Sequence, residues 1–152
     1  MDRIVAQISH VLDWEYLIAL ESSLTSQGFM NEKVRAELDR HGVTLARRYL
    51  LTKARLGSGP FSVVEEEILA VLAAGVATLR RSGQMPHIVI KGIRAGGLIG
   101  MVQRRICHPG DTSARSDLQT FGTARGAFEE IVNRHPDAFD PETVKLAQFH
   151  AA

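Results

Sequence analysis

This chain of 152 residues has little cysteine and few long apolar runs. Over one long stretch it also has few acidic residues. Cys107 is the only cysteine, so no intramolecular disulfide can form, and the cysteine-rich class of small secreted domains is excluded. The longest uncharged apolar run, 68–79, is shorter than the roughly 20 residues that a membrane-spanning helix needs. The first residues lack the basic and then apolar pattern of a signal peptide, so we expect a cytoplasmic protein.

Sequence signatures of catalysis and of cofactor binding are also missing. The glycine-containing segment 92–100 has neither the Gly-Lys-Ser/Thr ending of a P-loop nor the glycine spacing of a dinucleotide-binding fold. The six histidines are never spaced four residues apart, so no helical metal-binding pair exists. We therefore predict no catalytic residue, no metal site and no cofactor.

Cys107 and its histidine neighbours are the nearest approach to a catalytic pattern. Cys107 and His108 are adjacent, but neighbouring helical residues diverge by about 100°, so they would not form a nucleophile–base pair. We expect Cys107 to be nearly buried and inert. A joint site of His87, His108 and Asp111 is a further alternative that rests on proximity in sequence alone.

The apolar pattern predicts a mainly α-helical protein, a single domain over 1–152 with five to seven helices. The 45% apolar share and the 23% charged share are typical of globular chains. The clearest helix, at about 62–81, begins with the capping-box pattern of Ser62 and Glu65 and closes at Gly83. It has large apolar residues on one face and alanines on the other, which predicts a central helix with a close neighbour on the alanine side.

Other helices are predicted from apolar spacing and from capping residues. They lie at about 3–24 with a break near Asp13, at about 31–42, at about 44–56, at about 124–134, and from the Asp140-Pro141-Glu142 start signal onward.

The segment 86–106 carries contradictory signals. Residues 87–91 are typical of a strand, whereas the apolar residues after Gly97 recur at helical spacing. Interior glycines cost up to ~1 kcal/mol each in a helix. We predict a short strand or extended piece near 87–94 and a helix from about Gly97 to Cys107; the alternative is a hairpin that turns at Gly96-Gly97.

Charge is strongly segregated along the chain, although its net charge is only +1. Residues 40–110 contain eleven basic residues and three acidic ones, and the three acidic ones are the consecutive glutamates 65–67. The flanking segments carry an excess of acidic residues. A segregated basic stretch is a typical footprint of an anionic partner.

The segment 31–56 loosely resembles a helix-turn-helix. A first helix is predicted to stop at Gly42, and the second carries Arg47, Arg48 and Arg55 on one flank. Such a flank can lie along a phosphate backbone or reach base edges in a major groove. The alternative is an ordinary helical hairpin whose basic face is only solvated.

A second basic group, formed by Arg94, Arg104 and Arg105, flanks the glycines of 92–100. Glycines on the outward face of a helix are costly unless something approaches the backbone closely. Phosphate is one candidate. We favour the other, a neighbouring helix packed on Gly92, Gly96 and Gly100.

These patterns predict a non-enzymatic nucleic-acid-binding or regulatory protein. Its predicted contacts with DNA or RNA are Arg47, Arg48, Arg55, Arg94, Arg104 and Arg105. The alternative is a helical protein–protein interaction module or accessory subunit whose partner covers Gly96–Gly100. A small hydrolase or nuclease is the lesser alternative, because no acid–base constellation is visible. Arg35 and His41 do fit the Arg-x(4–6)-His spacing of a class of helical ribonuclease domains, but Ala36 stands where those domains favour a polar residue. If the two basic groups share one surface, the first hypothesis gains.

Overall fold

A computed structural model describes residues 2–83, 86–108 and 126–151 of the chain. Over these residues the protein is a bundle of seven α-helices without a strand, so the predicted mainly α fold is confirmed. The helices are α1 (Asp2–Ser9), α2 (Trp14–Ser26), α3 (Glu32–Lys53), α4 (Val63–Arg81), α5 (His87–Cys107), α6 (Ala127–Arg134) and α7 (Pro141–Ala151), with a 3₁₀ turn at Pro136–Ala138.

The helices α3 and α4 form the centre of the bundle. α3 contacts α1, α2 and α4, while α5 and α6 both pack against α4 and α7. Ile68, Leu72 and Val76 of α4 are at most 1% exposed, as their common face predicts. The prediction of a close neighbour on the alanine side of α4 is wrong at Ala70 and Ala74, because both residues are exposed. The surrounding helices cover other residues of α4.

Helix starts follow the capping residues that the sequence contains. The Asp13 carboxylate accepts a hydrogen bond from the Tyr16 N–H (2.8 Å), which confirms the break between α1 and α2. The Asn31 side chain caps α3 in the same way. Ser62 and Glu65 form the predicted capping box at the start of α4.

The prediction of a helix-turn-helix-like segment at 31–56 is wrong, because α3 runs unbroken for 22 residues through the predicted stop at Gly42. Gly42 is buried, and a Cβ at this position would lie 3.3 Å from Cη2 of Trp14. The glycine therefore admits the Trp14 ring close to the α3 backbone and does not end the helix. Leu45 is buried, whereas Tyr49 and Leu56 are only half-buried.

The strand or hairpin predicted near 87–94 is also wrong, because His87–Cys107 is helical. The Ile90 N–H bonds to the Pro86 carbonyl (3.1 Å), and Val89 and Ile93, four residues apart, are both buried. Apolar residues that favour a strand locally thus form the packed face of a helix, since tertiary packing overrides local preference. The predicted helix from about Gly97 to Cys107 is the second half of α5.

A sharp corner at Gly97 divides α5 into two halves, 87–96 and 98–107. Gly97 has φ 74° and ψ −178°, a conformation that is essentially restricted to glycine. In a straight helix Gly92 and Met101 would be about 14 Å apart along the axis. A Cβ at Gly92 would instead lie 3.4 Å from Cγ of Met101, so the second half folds back against the first. The corner lies where the hairpin alternative placed its turn.

This corner accounts for some of the glycines but not for all of them. Gly92 faces Met101, and a Cβ at Gly96 would lie 3.0 Å from Nη2 of Arg104. The predicted close neighbour of these two glycines is thus the other half of the same helix. Gly100 has no described atom within 4 Å of a Cβ position, so the packing predicted for it is absent from the described part of the chain.

Candidate functional site

Six arginines of the described residues are held in ion pairs with carboxylates. The pairs are Arg35–Glu21 (2.9 Å), Arg40–Glu37, Arg47–Glu66 (2.8 Å), Arg80–Glu15 (3.3 Å), Arg81–Asp39 (2.8 Å) and Arg134–Glu67 (2.6 Å). Exposed pairs of this kind contribute little to stability. They do neutralise four of the eleven basic residues of 40–110, so the pairing decides which basic residues are available to an anionic partner.

Eight lysine and arginine side chains are exposed and form no ion pair with any carboxylate of the described residues: Arg3, Arg48, Lys53, Arg55, Lys91, Arg94, Arg104 and Lys145. Five of them, Arg48, Lys53, Arg55, Lys91 and Arg94, belong to two neighbouring elements. We call this set the basic edge. Its members lie at the C-terminal end of α3 and in the first half of α5.

A hydrogen bond between Arg94 and the backbone of Lys53 joins the two parts of the basic edge. The Nε–H of Arg94 donates to the Lys53 carbonyl at 2.9 Å. That carbonyl is in the last turn of α3, where backbone acceptors have no partner within the helix and where positive charge is favourable. The contact brings Arg94, a member of the second predicted basic group, to the end of the helix that carries Arg47 and Arg48 of the first.

Arg55 adopts a left-handed backbone conformation, with φ 58°. Arg55 is the first residue after the C-cap of α3. Its N–H donates to the Thr52 carbonyl (3.3 Å), and the N–H of Leu56 donates to the Leu51 carbonyl (3.0 Å). This is the Schellman arrangement, in which glycine is the usual residue at the left-handed position. An arginine there costs about 1–2 kcal/mol in local backbone energy.

An open groove of about 310 Å³ adjoins the basic edge between the start of α2 and the C-terminal half of α3. Arg48 and Lys53 belong to its lining. Trp14, which also lines it, is 6% exposed, and its indole N–H has no acceptor within the described residues. Leu12, at the rim, is 76% exposed. The sequence reasoning did not find this groove, and the only local signal was the pair of apolar residues on either side of Asp13.

The other predicted contact residues lie elsewhere or are engaged. Arg47 is bonded to both carboxylate oxygens of Glu66, and its guanidinium lies 5.9 Å from the centre of the Phe61 ring. The guanidinium of Arg105 lies 5.1 Å from the centre of the Phe128 ring on α6. Arg104 lies beside Gly96 in the inner angle of α5. The sequence-predicted residues that the structure brings to one edge are therefore Arg48, Arg55 and Arg94.

The glutamates 65–67 hold three different parts of the structure. Glu65 caps α4, Glu66 binds Arg47, and Glu67 accepts hydrogen bonds from Arg134 and from the Nε2 atom of His135. The Arg134 hydrogen bond lowers the pKa of the Glu67 carboxyl, and the His135 hydrogen bond acts in the same direction. This cluster ties α4 to the end of α6, so we interpret it as a structural clamp.

The candidate catalytic and metal patterns are not assembled in the described part of the chain. The Nε2–H of His41 donates to the Val11 carbonyl (2.6 Å) in the protein interior, whereas Arg35 is exposed and bound to Glu21. Cys107 is half-buried, with Sγ 3.5 Å from Oγ1 of Thr143. No group of three His, Cys, Asp or Glu side chains among the described residues could hold a metal ion. Asp111 lies outside the described residues.

Comparison with protein-family models, with curated proteins and with solved structures finds no match for this chain. None of the helices in 2–83, 86–108 and 126–151 is both long enough and apolar enough to cross a membrane. The basic edge and the groove beside it are therefore the features of the structure that bear on function.

Proposed function

We propose that this protein is a non-enzymatic nucleic-acid-binding protein that contacts the sugar–phosphate backbone through the basic edge. The observation that carries the proposal is the hydrogen bond from Arg94 to the end of α3, which joins two basic groups that are about 40 residues apart in the sequence. Basic side chains without carboxylate partners on one continuous edge are what a phosphate backbone requires.

The conformation of Arg55 supports the same proposal. Glycine would satisfy the left-handed position at the end of α3 at lower energy, yet this position holds a long cationic side chain. Backbone strain of this kind is often concentrated at functional sites. A role for the Arg55 guanidinium in binding would account for the cost.

The test is the salt dependence of binding. We would measure the affinity of fluorescently labelled 12-nucleotide strands and of the corresponding duplex by anisotropy over a series of NaCl concentrations. The logarithm of affinity should fall linearly with the logarithm of salt, because each neutralised phosphate releases condensed counterions. The double substitution Arg48→Ala and Lys53→Ala should weaken binding and flatten the slope by roughly 1.5 units, at about 0.7–0.9 per phosphate contact.

The matched control is Arg35→Ala with Arg40→Ala, because it also removes two exposed charges from α3 but takes them from the half with carboxylate partners. The control should leave the slope nearly unchanged. Equal effects of the two double variants would mean that binding follows overall charge and not the basic edge. The absence of binding at low salt would remove the proposal and leave the helical interaction module as the better account.

A further inference from the structure

The groove beside the basic edge indicates which form of nucleic acid the protein binds, an inference that rests on the function proposed above. α3 contacts three other helices, and its end is covered by Arg94 of α5. It is therefore not a projecting recognition helix of the kind that follows a tight turn and enters a major groove. The structural basis for duplex reading, predicted from the segment 31–56, is missing.

The groove has an apolar floor. Its apolar lining consists of Leu12, Trp14, Leu45 and Tyr49. The Arg80 guanidinium lies over the Tyr49 ring, 6.0 Å from its centre. Planar aromatic and guanidinium groups are the surfaces on which unpaired bases stack. The groove volume, about 310 Å³, is at the lower end of the range for small-molecule sites and suits one base with its sugar.

The charges around this floor are uneven. Its two carboxylates are engaged, because Asp13 caps α2 and Glu15 binds Arg80. Arg48 and Lys53 line the same groove and have no carboxylate partner among the described residues. The net effect is an apolar cleft with cations on one side that also belong to the basic edge. A single strand presents an apolar base face and an anionic backbone together, whereas a duplex keeps its base faces stacked inside.

We propose that the groove holds one unstacked base of a single-stranded nucleic acid while the adjoining basic edge binds its phosphates. The shared chemistry is that of single-stranded DNA and RNA, and the choice between them depends on contacts with the 2′-hydroxyl.

The only tryptophan of the chain, Trp14, lines the groove and serves as a built-in probe. We would titrate the protein at low salt with unlabelled 12-mers of dT and of rU, and with a duplex of equal length, and follow tryptophan fluorescence. Both single strands should change the Trp14 emission and should bind about tenfold more tightly than the duplex. A difference between dT and rU would assign the sugar preference.

Two substitutions test the base site itself. Leu12→Ala removes a side chain that is already 76% exposed, so it should weaken single-strand binding severalfold without lowering stability. Tyr49→Leu keeps apolar bulk but removes the ring, and it should weaken single-strand binding about tenfold, in the range of one lost base stack. Phe29→Ala, at an exposed apolar residue outside the groove lining, is the matched control and should have no effect.

The outcomes separate the two proposals. Binding that depends on Arg48 and Lys53 but leaves Trp14 emission unchanged, or that is as tight for the duplex, would overturn the base site and retain the basic edge. Single-strand binding that is weakened in neither the Leu12 nor the Tyr49 variant would overturn it equally. No binding by any strand would overturn both.

Discussion

The two halves of α3 contain the same number of basic residues but differ in what surrounds them. The N-terminal half has Lys33, Arg35 and Arg40 together with Glu32, Glu37 and Asp39, whereas the C-terminal half has Arg47, Arg48 and Lys53 and no acidic residue. In the first half, Arg35 and Arg40 are bound to carboxylates. In the second, only Arg47 has such a partner among the described residues, Glu66 of α4.

The comparison shows that basic residues in a sequence and positive charge available at a surface are different quantities. Half of the six arginines of 40–81 carry out a structural task, since Arg47, Arg80 and Arg81 each link two helices through a carboxylate. The residues of the basic edge have no such task apart from the Arg94 cap. A solvated, unpaired cation has little effect on stability, so binding is the better explanation for a cluster of them.

The largest expected effect tests whether the two halves differ in packing as well as in charge. Leu38 and Leu50, one in each half, are at most 1% exposed. Leu38→Ala and Leu50→Ala should each lower the free energy of unfolding by about 2–5 kcal/mol, because each leaves a cavity in the same core. Chemical denaturation measures both. A loss below about 1 kcal/mol at Leu50 alone would show that the C-terminal half is peripheral, and the comparison would then concern packing.

Much of this helical framework follows from local patterns. The capping pairs at Asn31 and Ser62 and the apolar face of α4 depend on residues three or four positions apart, so they can be found in the sequence. The role of Gly42 cannot be found in the sequence, because a glycine that ends a helix and one that admits a distant ring look alike until the position of Trp14 is known. The same holds for the corner at Gly97, where strand-like residues become helical through packing.

The candidate site was partly predictable for a related reason. Charge segregation is a property of the sequence, and it identified Arg48, Arg55 and Arg94. The contacts of these side chains depend on the fold, because Glu66 of α4 binds Arg47 of α3, and Arg94 of α5 donates a hydrogen bond to the end of α3. Lys53 and Lys91 could be assigned to the basic edge only from these contacts in the structure. The groove could not be predicted either, because three separate segments of the chain form it.

A smaller effect is expected at Arg55, where the comparison predicts a conflict between stability and binding. Arg55→Gly should raise the free energy of unfolding by roughly 0.5–1 kcal/mol, because glycine relieves the left-handed strain and loses part of that gain through a more flexible unfolded chain. Arg55→Ala is the control, since it removes the charge and keeps the strain. Both should weaken nucleic-acid binding alike, and only the glycine variant should be more stable in denaturant titrations.

The smallest effect concerns the acid response of the N-terminal half. The Arg40 hydrogen bond lowers the pKa of the Glu37 carboxyl, and the charge of Arg40 acts in the same direction while burial opposes it. A carboxyl whose pKa is lower in the folded state stabilises the fold above its unfolded pKa, about 4.3, and loses this contribution as the pH falls through its folded pKa. The stability difference between the wild type and Arg40→Gln should therefore be present at neutral pH and vanish in that acidic range, and the Glu37 pKa measured by NMR should rise in the variant.

Lys53→Ala provides the contrast, because Lys53 has no carboxylate partner among the described residues and its effect on stability should not change over the same range. A matching acid-dependent loss in Lys53→Ala would show that the C-terminal half also relies on carboxylates and would end the distinction between the two halves.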